Sequence, residues 1–432
     1  MFPCCRAPRR GRHPPIMNVR RSAAVLAAGI TVTVIAATPA VAAGPSPSPS
    51  VAIPAGLYGT SDPTYDGVWR QSLALLAQDA VGVQPADEAV AWLAGQQCAD
   101  GAFAAFRADP GTACDAEVKV DTNSTAAAVQ ALSTLTVSYD AQVAKAVTWL
   151  KSVENADGGW GYSPGGASDA NSTAVVMGAL ADAGVTVPNV RKDGKSPYDA
   201  LRKLALPCDS DADAGAFAYQ PDKKGELVAN ADATAAAVLG MSGQSLAGSP
   251  QDDADSPATC EKPGADPEQS AINGAAWLAK AMAKDGHLTS ALPGAEPQPD
   301  YGNTADAIVA LSSLGLHDQA AKPLRWLETH AKSWAAQGGP AAYAQLVFVA
   351  TTAKGADVHD FGGQDLVTLL NATGPTPADI EEPVTAGPEE KAASDDNDGS
   401  PNVAWTVGGA LLAVAAAGFV LVARNRRRGR QQ

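Results

Sequence analysis

The sequence predicts an all-α protein in which about six helical hairpins form a ring, followed by one C-terminal transmembrane helix. Three observations predict this fold: an apolar fraction poor in aromatic residues, a repeated tryptophan-bearing helix and a repeated alanine-rich helix. Hydrophobic residues make up 46% of the 432 residues, but aromatic residues only 5%, which favours closely packed helices. The net charge of −15 argues against a protein that binds nucleic acid through its phosphates.

The N-terminal residues predict export. From Met17 the chain carries two arginines, an uncharged apolar run and a small-residue cleavage site at residues 40–42, the three parts of a secretory signal peptide. We therefore expect residues 1–42 to form a leader that contains the signal peptide. Met17 is the expected start of translation. Residues 43–66 are expected to form a flexible N-terminal segment.

The C-terminal residues predict a membrane anchor. Val403–Ala423 is a run of 21 uncharged residues, long enough to cross a hydrocarbon core of about 30 Å at about 1.5 Å per residue. The arginine-rich tail at 424–432 places the C-terminus in the cytoplasm. Residues 373–402, rich in Pro, Asp and Glu, predict a disordered acidic stalk. Residues 67–372 would then form the extracellular domain of a single-pass protein in the cell membrane. The alternative for Val403–Ala423 is a buried core helix followed by a basic tail.

Four of the six cysteines follow the leader. Four cysteines allow three pairings, and an exported protein favours disulfides over free thiols. Proximity along the chain favours Cys98–Cys114 and Cys208–Cys260. The cysteines and histidines lack the spacing of a zinc site, so we predict no metal.

The first repeat is a helix that carries a tryptophan and ends at a glycine turn. Ala89–Phe106, "AVAWLAGQQCADGAFAAF", returns at Ala146–Ser163 as "AVTWLKSVENADGGWGYS". Glycine can take positive φ in such a turn. Three weaker copies lie at 198–220, 274–288 and 323–339. We expect these helices to form an outer layer, with tryptophans as packing anchors: Trp92, Trp149, Trp277 and Trp326.

The second repeat is an alanine-rich helix opened by Asp or Asn. It reads "DTNSTAAAVQAL" at Asp121–Leu132 and recurs at Asp169–Leu180, Asn230–Met241 and Asp300–Leu311. Asp and Asn accept hydrogen bonds from the free N–H groups of a first helical turn. Alanine lets helices approach closely, as an inner layer requires.

Both repeats together predict twelve helices that alternate between the two layers. The predicted ranges are Gly67–Gln78, Ala86–Gln97, Ser124–Thr136, Asp140–Glu154, Ser172–Gly184, Ser196–Leu206, Ala233–Met241, Pro267–Ala283, Thr304–Leu314, Ala320–Trp334, Pro340–Thr352 and Gly363–Leu370. A closed ring of six hairpins and an open helical solenoid both satisfy this pattern.

The turn "ADGGWG" at residues 156–161, with its neighbouring Trp and Gln, resembles the repeats of the terpenoid-cyclase and protein-prenyltransferase family. The resemblance covers about residues 67–370 and implies an α/α toroid, so it favours the closed ring. The chain does not match the family's catalytic motifs. Class II cyclases use an Asp-x-Asp-Asp acid, whereas the nearest string here, Asp209–Asp213, lacks the adjacent pair and predicts an acidic surface loop.

The chain also lacks the reactive motifs of two other groups of toroid proteins. Protein prenyltransferases hold zinc through Asp, Cys and His, and no cysteine here lies at the start of an inner helix. Thioester domains require Cys-Gly-Glu-Gln, whereas the nearest sequence is Gly95–Cys98, "GQQC". We therefore predict no catalytic residue and favour binding over catalysis.

Secreted cobalamin carriers are non-enzymatic toroids that the chain resembles: they are exported, contain disulfides and have six helix pairs, with Asp-Thr-like sequences that open the inner helices. That resemblance implies a small-molecule ligand such as cobalamin, and no other cofactor, held at the ring mouth by the polar residues that open the inner helices. The matching positions are Asp121, Asn123, Thr125, Asp169, Asn171, Thr173, Asn230, Asp232, Thr234, Asp300 and Thr304. Helix capping is the alternative role for each of them.

The carriers cover their ligand with a small β-domain, and this chain has a stalk in its place. A surface lid or a transporter is therefore an expected partner. Two other hypotheses stay open at this point: a terpenoid cyclase-like enzyme that uses the same cavity, and a structural or adhesive surface module. An acid pair in an aromatic-lined cavity would favour the enzyme, and a polar open mouth would favour the carrier.

Overall fold

The computed structural model describes residues 52–135, 138–262, 266–290 and 296–378. The predicted signal peptide, transmembrane helix and cytoplasmic tail, and all of the stalk beyond residue 378, lie outside these ranges. Among the described helices, none combines the length and the apolar character needed to cross a membrane.

The described residues form twelve α-helices, as the two repeats predict. The helices are α1 Gly67–Ala80, α2 Asp87–Gly95, α3 Thr122–Thr134, α4 Asp140–Ser152, α5 Ala170–Asp182, α6 Pro197–Arg202, α7 Ala231–Met241, α8 Pro267–Met282, α9 Tyr301–Ser312, α10 His317–His330, α11 Lys332–Thr352 and α12 Leu366–Asn371.

The odd-numbered helices form a closed inner ring. Along the ring, α1 packs against α3, α3 against α5, α5 against α7, α7 against α9 and α9 against α11, and α11 returns to α1. The even-numbered helices pack on the outside of this ring, for example α4 on α3, α8 on α7 and α10 on α9. The contact between α1 and α11 decides between the two predicted arrangements: the fold is a toroid and not an open solenoid.

Small residues let the inner helices approach one another closely. A Cβ added at Gly240 of α7 would lie 3.0 Å from the Cα of Ala174 on α5. All four alanines of α3 and three of the four alanines of α5 are likewise almost completely buried. The alanine-rich composition is therefore a packing requirement of the inner ring, because larger side chains would push the helices apart.

The largest difference from the predicted helix boundaries lies between α10 and α11. The helix expected over Ala320–Trp334 runs from His317 to His330. Trp334 lies instead in the first part of α11, which is interrupted at Gly339 with φ 64° and resumes at Pro340. Glycine tolerates that positive φ, and the proline suits the first turn of the helix that follows.

Two short hairpins precede inner helices, which the helical periodicity does not predict. β1 Phe103–Ala104 pairs antiparallel with β2 Val120–Asp121, and β3 Leu288–Ser290 pairs with β4 Gln298–Asp300. Phe103 lies opposite Asp121, and Leu288 lies opposite Asp300. Each hairpin therefore joins the turn of an outer helix to the residue that opens the next inner helix.

Both predicted disulfides are confirmed. Cys98 and Cys114 are joined with Cα atoms 5.6 Å apart, as are Cys208 and Cys260. The first bond closes a loop of about 15 residues, which in the chain-entropy model contributes about 3 kcal/mol to stability.

The segment before α1 packs against the ring near its seam. Tyr58 is fully buried, and its hydroxyl accepts a hydrogen bond from Gln78 Nε2 at 2.9 Å. Gln78 Nε2 also donates to Asn371 Oδ1 at 2.8 Å, and the Gly59 N–H donates to the Thr373 carbonyl at 2.8 Å. The second half of the segment that the sequence predicts to be flexible is therefore part of the folded ring.

One threonine in each of four inner helices holds the turn that precedes it. The backbone N–H of the buried residue after the glycine turn donates to the threonine Oγ1 at 2.9–3.1 Å. We call this contact the threonine clamp. The four pairs are Phe103 with Thr125, Trp160 with Thr173, Phe217 with Thr234 and Leu288 with Thr304.

We predict that Thr173→Val destabilises the protein by about 1–3 kcal/mol, because the buried Trp160 N–H would lose its acceptor. Thr173→Ser retains the hydroxyl and is the matched control, with a smaller loss. Denaturant unfolding of the purified protein measures both. Equal stability of the valine and serine variants would show that the clamp is not needed.

Candidate functional site

Four of the eleven predicted site residues cap the inner helices. Asp121 Oδ1 accepts from Ser124 N at 2.7 Å, and Asp169, Asn230 and Asp300 make the equivalent bond at 2.7–3.1 Å. Asp121 and Asp169 are almost completely buried. Four more of the eleven are the clamp threonines. These eight side chains therefore act within the fold, as the capping alternative expects.

The remaining three residues, Asn123, Asn171 and Asp232, face a central cavity. They occupy the third position of their repeats, two residues after the capping residue on α3, α5 and α7. The cavity has a volume of about 260 Å³ and is lined by residues of all six inner helices. The structure thus brings three of the predicted site residues into one cavity wall.

A loop after α7 closes one side of this cavity. Leu246 lines the cavity, and its backbone N–H donates to Oε1 of the buried Gln130 at 3.0 Å. Gln130 Nε2 donates in turn to the Val175 carbonyl at 2.9 Å, and the Ser249 N–H donates to Ser313 Oγ at 3.2 Å. The loop is therefore tied to α3 and to the end of α9. Asp232 is exposed, so ligands can reach the cavity from its end of the ring.

Four further cavity residues were not predicted from the sequence. Asp306 and Gln345 lie on α9 and α11, and Gln345 Nε2 donates to Asp306 Oδ1 at 2.9 Å. Trp69 of α1 and Phe348 of α11 add aromatic faces to the lining. Asp306 could have been identified from the sequence, because it is an acidic residue inside the alanine-rich body of an inner helix.

The cavity is negative and lacks a basic residue in its lining. Burial raises the pKa of Asp306 to about 7, with a further contribution from the negative charge of Asp232. Asp232 is accessible from the end of the ring, but the surrounding protein desolvates its carboxyl and raises its pKa. The Asn171 amide, which donates to it, opposes this shift, and Asp300 and Asp169 reinforce it. A ligand that donates hydrogen bonds or carries positive charge would offset this unfavourable burial of carboxylates.

The two asparagines add unused acceptors to the same wall. The Oδ1 atoms of Asn123 and Asn171 are buried and have no hydrogen-bond partner in the protein. A buried acceptor without a partner is costly, at about 1–3 kcal/mol. The wall is therefore suited to a ligand that presents N–H or O–H donors.

The described residues contain no group of three or more His, Cys, Asp or Glu side chains placed to hold a metal ion. The acidic string Asp209–Asp213 lies apart from the cavity, and Asp211–Asp213 forms a short 3₁₀ turn without a buried residue. The chemistry of the cavity must therefore be sought in Asp232, Asp306 and their amide neighbours.

Residues 61–206 match the family model of the prenyltransferase alpha-alpha toroid domain. This part of the chain is similar to the α/α-toroid domains of that family. The match covers α1–α6, which include Asn123 and Asn171. The superfamily resemblance inferred from the "ADGGWG" turn is confirmed, while the likeness to cobalamin carriers remains a prediction.

Three solved structures are similar to parts of this chain at low identity. An ent-copalyl diphosphate synthase from Streptomyces platensis is 16% identical with a TM-score of 0.42, over 66% of this chain and 50% of that one. A protein from Actinoplanes is 16% identical with a TM-score of 0.40, over 69% and 80%. A type II terpene cyclase from Scytonema, in complex with geranylgeranyl dihydroxybenzoate, is 16% identical with a TM-score of 0.28, over 60% and 79%.

This chain spans half the length of the Streptomyces platensis synthase. No curated protein is detectably similar to it. The activity must therefore be argued from the cavity itself.

We predict that Asp306→Asn changes the pH dependence of stability. The folded-state pKa of about 7 lies above the ordinary 3.8, so the folded protein keeps a proton that the unfolded chain loses. The contribution of Asp306 to the free energy of unfolding is therefore fully present below about pH 4 and is lost as pH rises towards 7. The variant should melt like the wild type at pH 4 and at a higher temperature at pH 8.

Asp199→Asn is a control for which we expect the opposite pH dependence of stability. Hydrogen bonds from Ser196, and then the neighbouring Arg202, hold the pKa of Asp199 well below its usual range. Its stabilisation is present above pH 4 and is lost at lower pH, so this variant should melt at a lower temperature at pH 8. An Asp306→Asn effect that is the same at both pH values would contradict the assignment.

Proposed function

We propose that the protein captures a small molecule in the mouth of its toroid and holds it through N–H or O–H groups of the ligand. The observation that carries this proposal is the acceptor-rich wall formed by Asn123, Asn171, Asp232 and Asp306. Such a wall holds a donor-bearing ligand without a salt bridge from the protein.

A corrinoid such as cobalamin is the candidate ligand, because a fringe of side-chain amides supplies N–H donors. The cavity of about 260 Å³ is smaller than the roughly 300–1,000 Å³ that enclose drug-sized ligands. A corrinoid would therefore lie across the mouth, with amide groups entering the cavity. Exposed Tyr162 and Tyr219 flank the buried Asp169 on this side and would provide further contact area.

The proposal includes the cellular setting predicted from the chain ends. The toroid would face the outside of the cell on an acidic stalk, anchored by Val403–Ala423. Two disulfides fit an exported domain. A ligand lying across an open mouth leaves one of its faces uncovered, so a surface lid or a transporter would complete the site.

A terpenoid cyclase-like enzyme is the second candidate, and one observation favours it. The carboxyl of Asp306, with its pKa raised to about 7, lies in a cavity that also contains Trp69 and Phe348. A neutral carboxylic acid can donate a proton to a double bond, and aromatic faces stabilise the cation that results. In this alternative Asp306 is the acid, and Asp232 is the neighbouring carboxylate that helps to keep it protonated.

The test is a titration of the purified full-length protein with cobalamin, followed by absorbance. We predict that Asn123→Ala/Asn171→Ala weakens binding by about 10- to 100-fold, since each lost bond to a buried ligand group is worth roughly 1–3 kcal/mol and the effects overlap. The melting temperature should stay close to that of the wild type, because removing two unpartnered buried Oδ1 atoms offsets the loss of the hydrogen bond that the Asn171 amide donates to Asp232.

Asn189→Ala, an exposed substitution outside the cavity, is the matched control and should bind normally. Absence of cobalamin binding by the wild type, with and without membrane extract as a source of a lid, would refute the corrinoid proposal. Turnover of geranylgeranyl diphosphate by the wild type, lost in Asp306→Asn, would instead establish the enzymatic alternative.

A further inference from the structure

A second depression lies beside the ring mouth, outside the central cavity. It is a groove of about 510 Å³ between the loop closed by Cys98–Cys114, the segment before α1 and the residues that follow Trp160. We call it the tyrosine groove and define it by Tyr65, Tyr162, Asp109, Asp115 and Glu117, all of which line it.

The two tyrosines are unusually exposed for large aromatic side chains. Tyr65 is 86% exposed and Tyr162 is 48% exposed. Tyr162 comes two residues after the fully buried Trp160, so its backbone is fixed by the core while its ring stays in solvent. Exposed, well-positioned tyrosines are the residues that typically dominate the energy of protein interfaces.

The loop that forms the opposite wall is held rigidly. The Arg107 guanidinium is buried and donates to the carbonyls of Gly95, Gln96, Gln97, Pro110 and Thr112. The disulfide fixes the same loop at Cys114. A wall that is already ordered loses little conformational entropy when a partner binds.

The groove carries negative charge. Asp109, Asp115 and Glu117 are exposed, and hydrogen bonds from Thr112 and Gly111 keep the pKa of Asp109 below its usual range. Lys119 is an exposed cation of the lining, whereas the charge of Arg107 is directed at backbone carbonyls. Three exposed carboxylates therefore outweigh one available cation. The acidic segment 373–402 of this chain would be repelled and is not a suitable occupant.

We propose that the tyrosine groove is a docking site for an arginine-bearing extended segment of a partner protein. Guanidinium groups stack on tyrosine rings and form paired hydrogen bonds with carboxylates, so one side chain can use both features of the groove. Its volume suits a few residues of extended chain and not a folded domain. This proposal does not depend on the ligand of the central cavity.

The experiment measures fluorescence anisotropy of a labelled pentapeptide with arginine at its second and fourth positions and glycine elsewhere, added to the full-length protein at about 0.15 M salt. Tyr65→Ala/Tyr162→Ala should raise the Kd by about tenfold, since both stacking faces are lost. Asp115→Asn/Glu117→Gln should raise it as well. Neither pair is part of the core, so the melting curves should match the wild type.

Tyr219→Ala is the matched control, because Tyr219 occupies the equivalent position of the next repeat, is 43% exposed and lies outside the groove. It should leave the Kd unchanged, and a glutamate version of the peptide should not bind. The proposal is overturned if the wild type does not bind the arginine peptide, if the Tyr65→Ala/Tyr162→Ala variant binds as well as the wild type, or if Tyr219→Ala weakens binding equally.

Discussion

The threonine clamp is the contact on which the rest of the ring depends. In four successive repeats, one buried hydroxyl accepts the N–H of the anchor residue after the glycine turn, such as Trp160 on Thr173. This bond fixes the outer helix and its turn against the first turn of the next inner helix. Because the same bond recurs in α3, α5, α7 and α9, these four helices start in equivalent positions, and the third residues of α3, α5 and α7 line one cavity. Closure of α1 on α11 then encloses the cavity.

The clamp also explains how structural and functional roles are divided within one short motif. The first residue of "DTNST" caps its helix and the fifth clamps the preceding turn, so neither is free to bind a ligand. The third residue has no structural task and faces the cavity as Asn123, Asn171 or Asp232. In α9 this position is Gly302, and Asp306, one turn further along the helix, supplies the polar group. The acceptor-rich wall therefore consists of side chains that the fold itself does not need.

Repetition made the architecture predictable, and it limited what could be predicted of the site. The twelve helices, the two layers and both disulfides follow from repeat spacing and from proximity along the chain. The same repetition made all residues of each inner-helix start look equivalent, so capping residues and cavity residues could not be separated. Asp306 and Gln345 come from different repeats and meet only through the packing of α9 against α11. The break at Gly339 confirms the predicted helix start at Pro340, whereas the sequence did not predict that residues 332–338, which include Trp334, are separate from α10.

The division of roles within one motif is tested most directly by two substitutions two residues apart on α7. Thr234 accepts the Phe217 N–H at 2.9 Å, whereas Asp232 faces the cavity. The measurement is the melting temperature and the cobalamin affinity of Thr234→Val and of Asp232→Asn, each beside the wild type. Our account predicts that Thr234→Val lowers the melting temperature and that Asp232→Asn weakens binding without lowering it. A loss of stability in Asp232→Asn as large as that in Thr234→Val, or unchanged binding in Asp232→Asn, would contradict it.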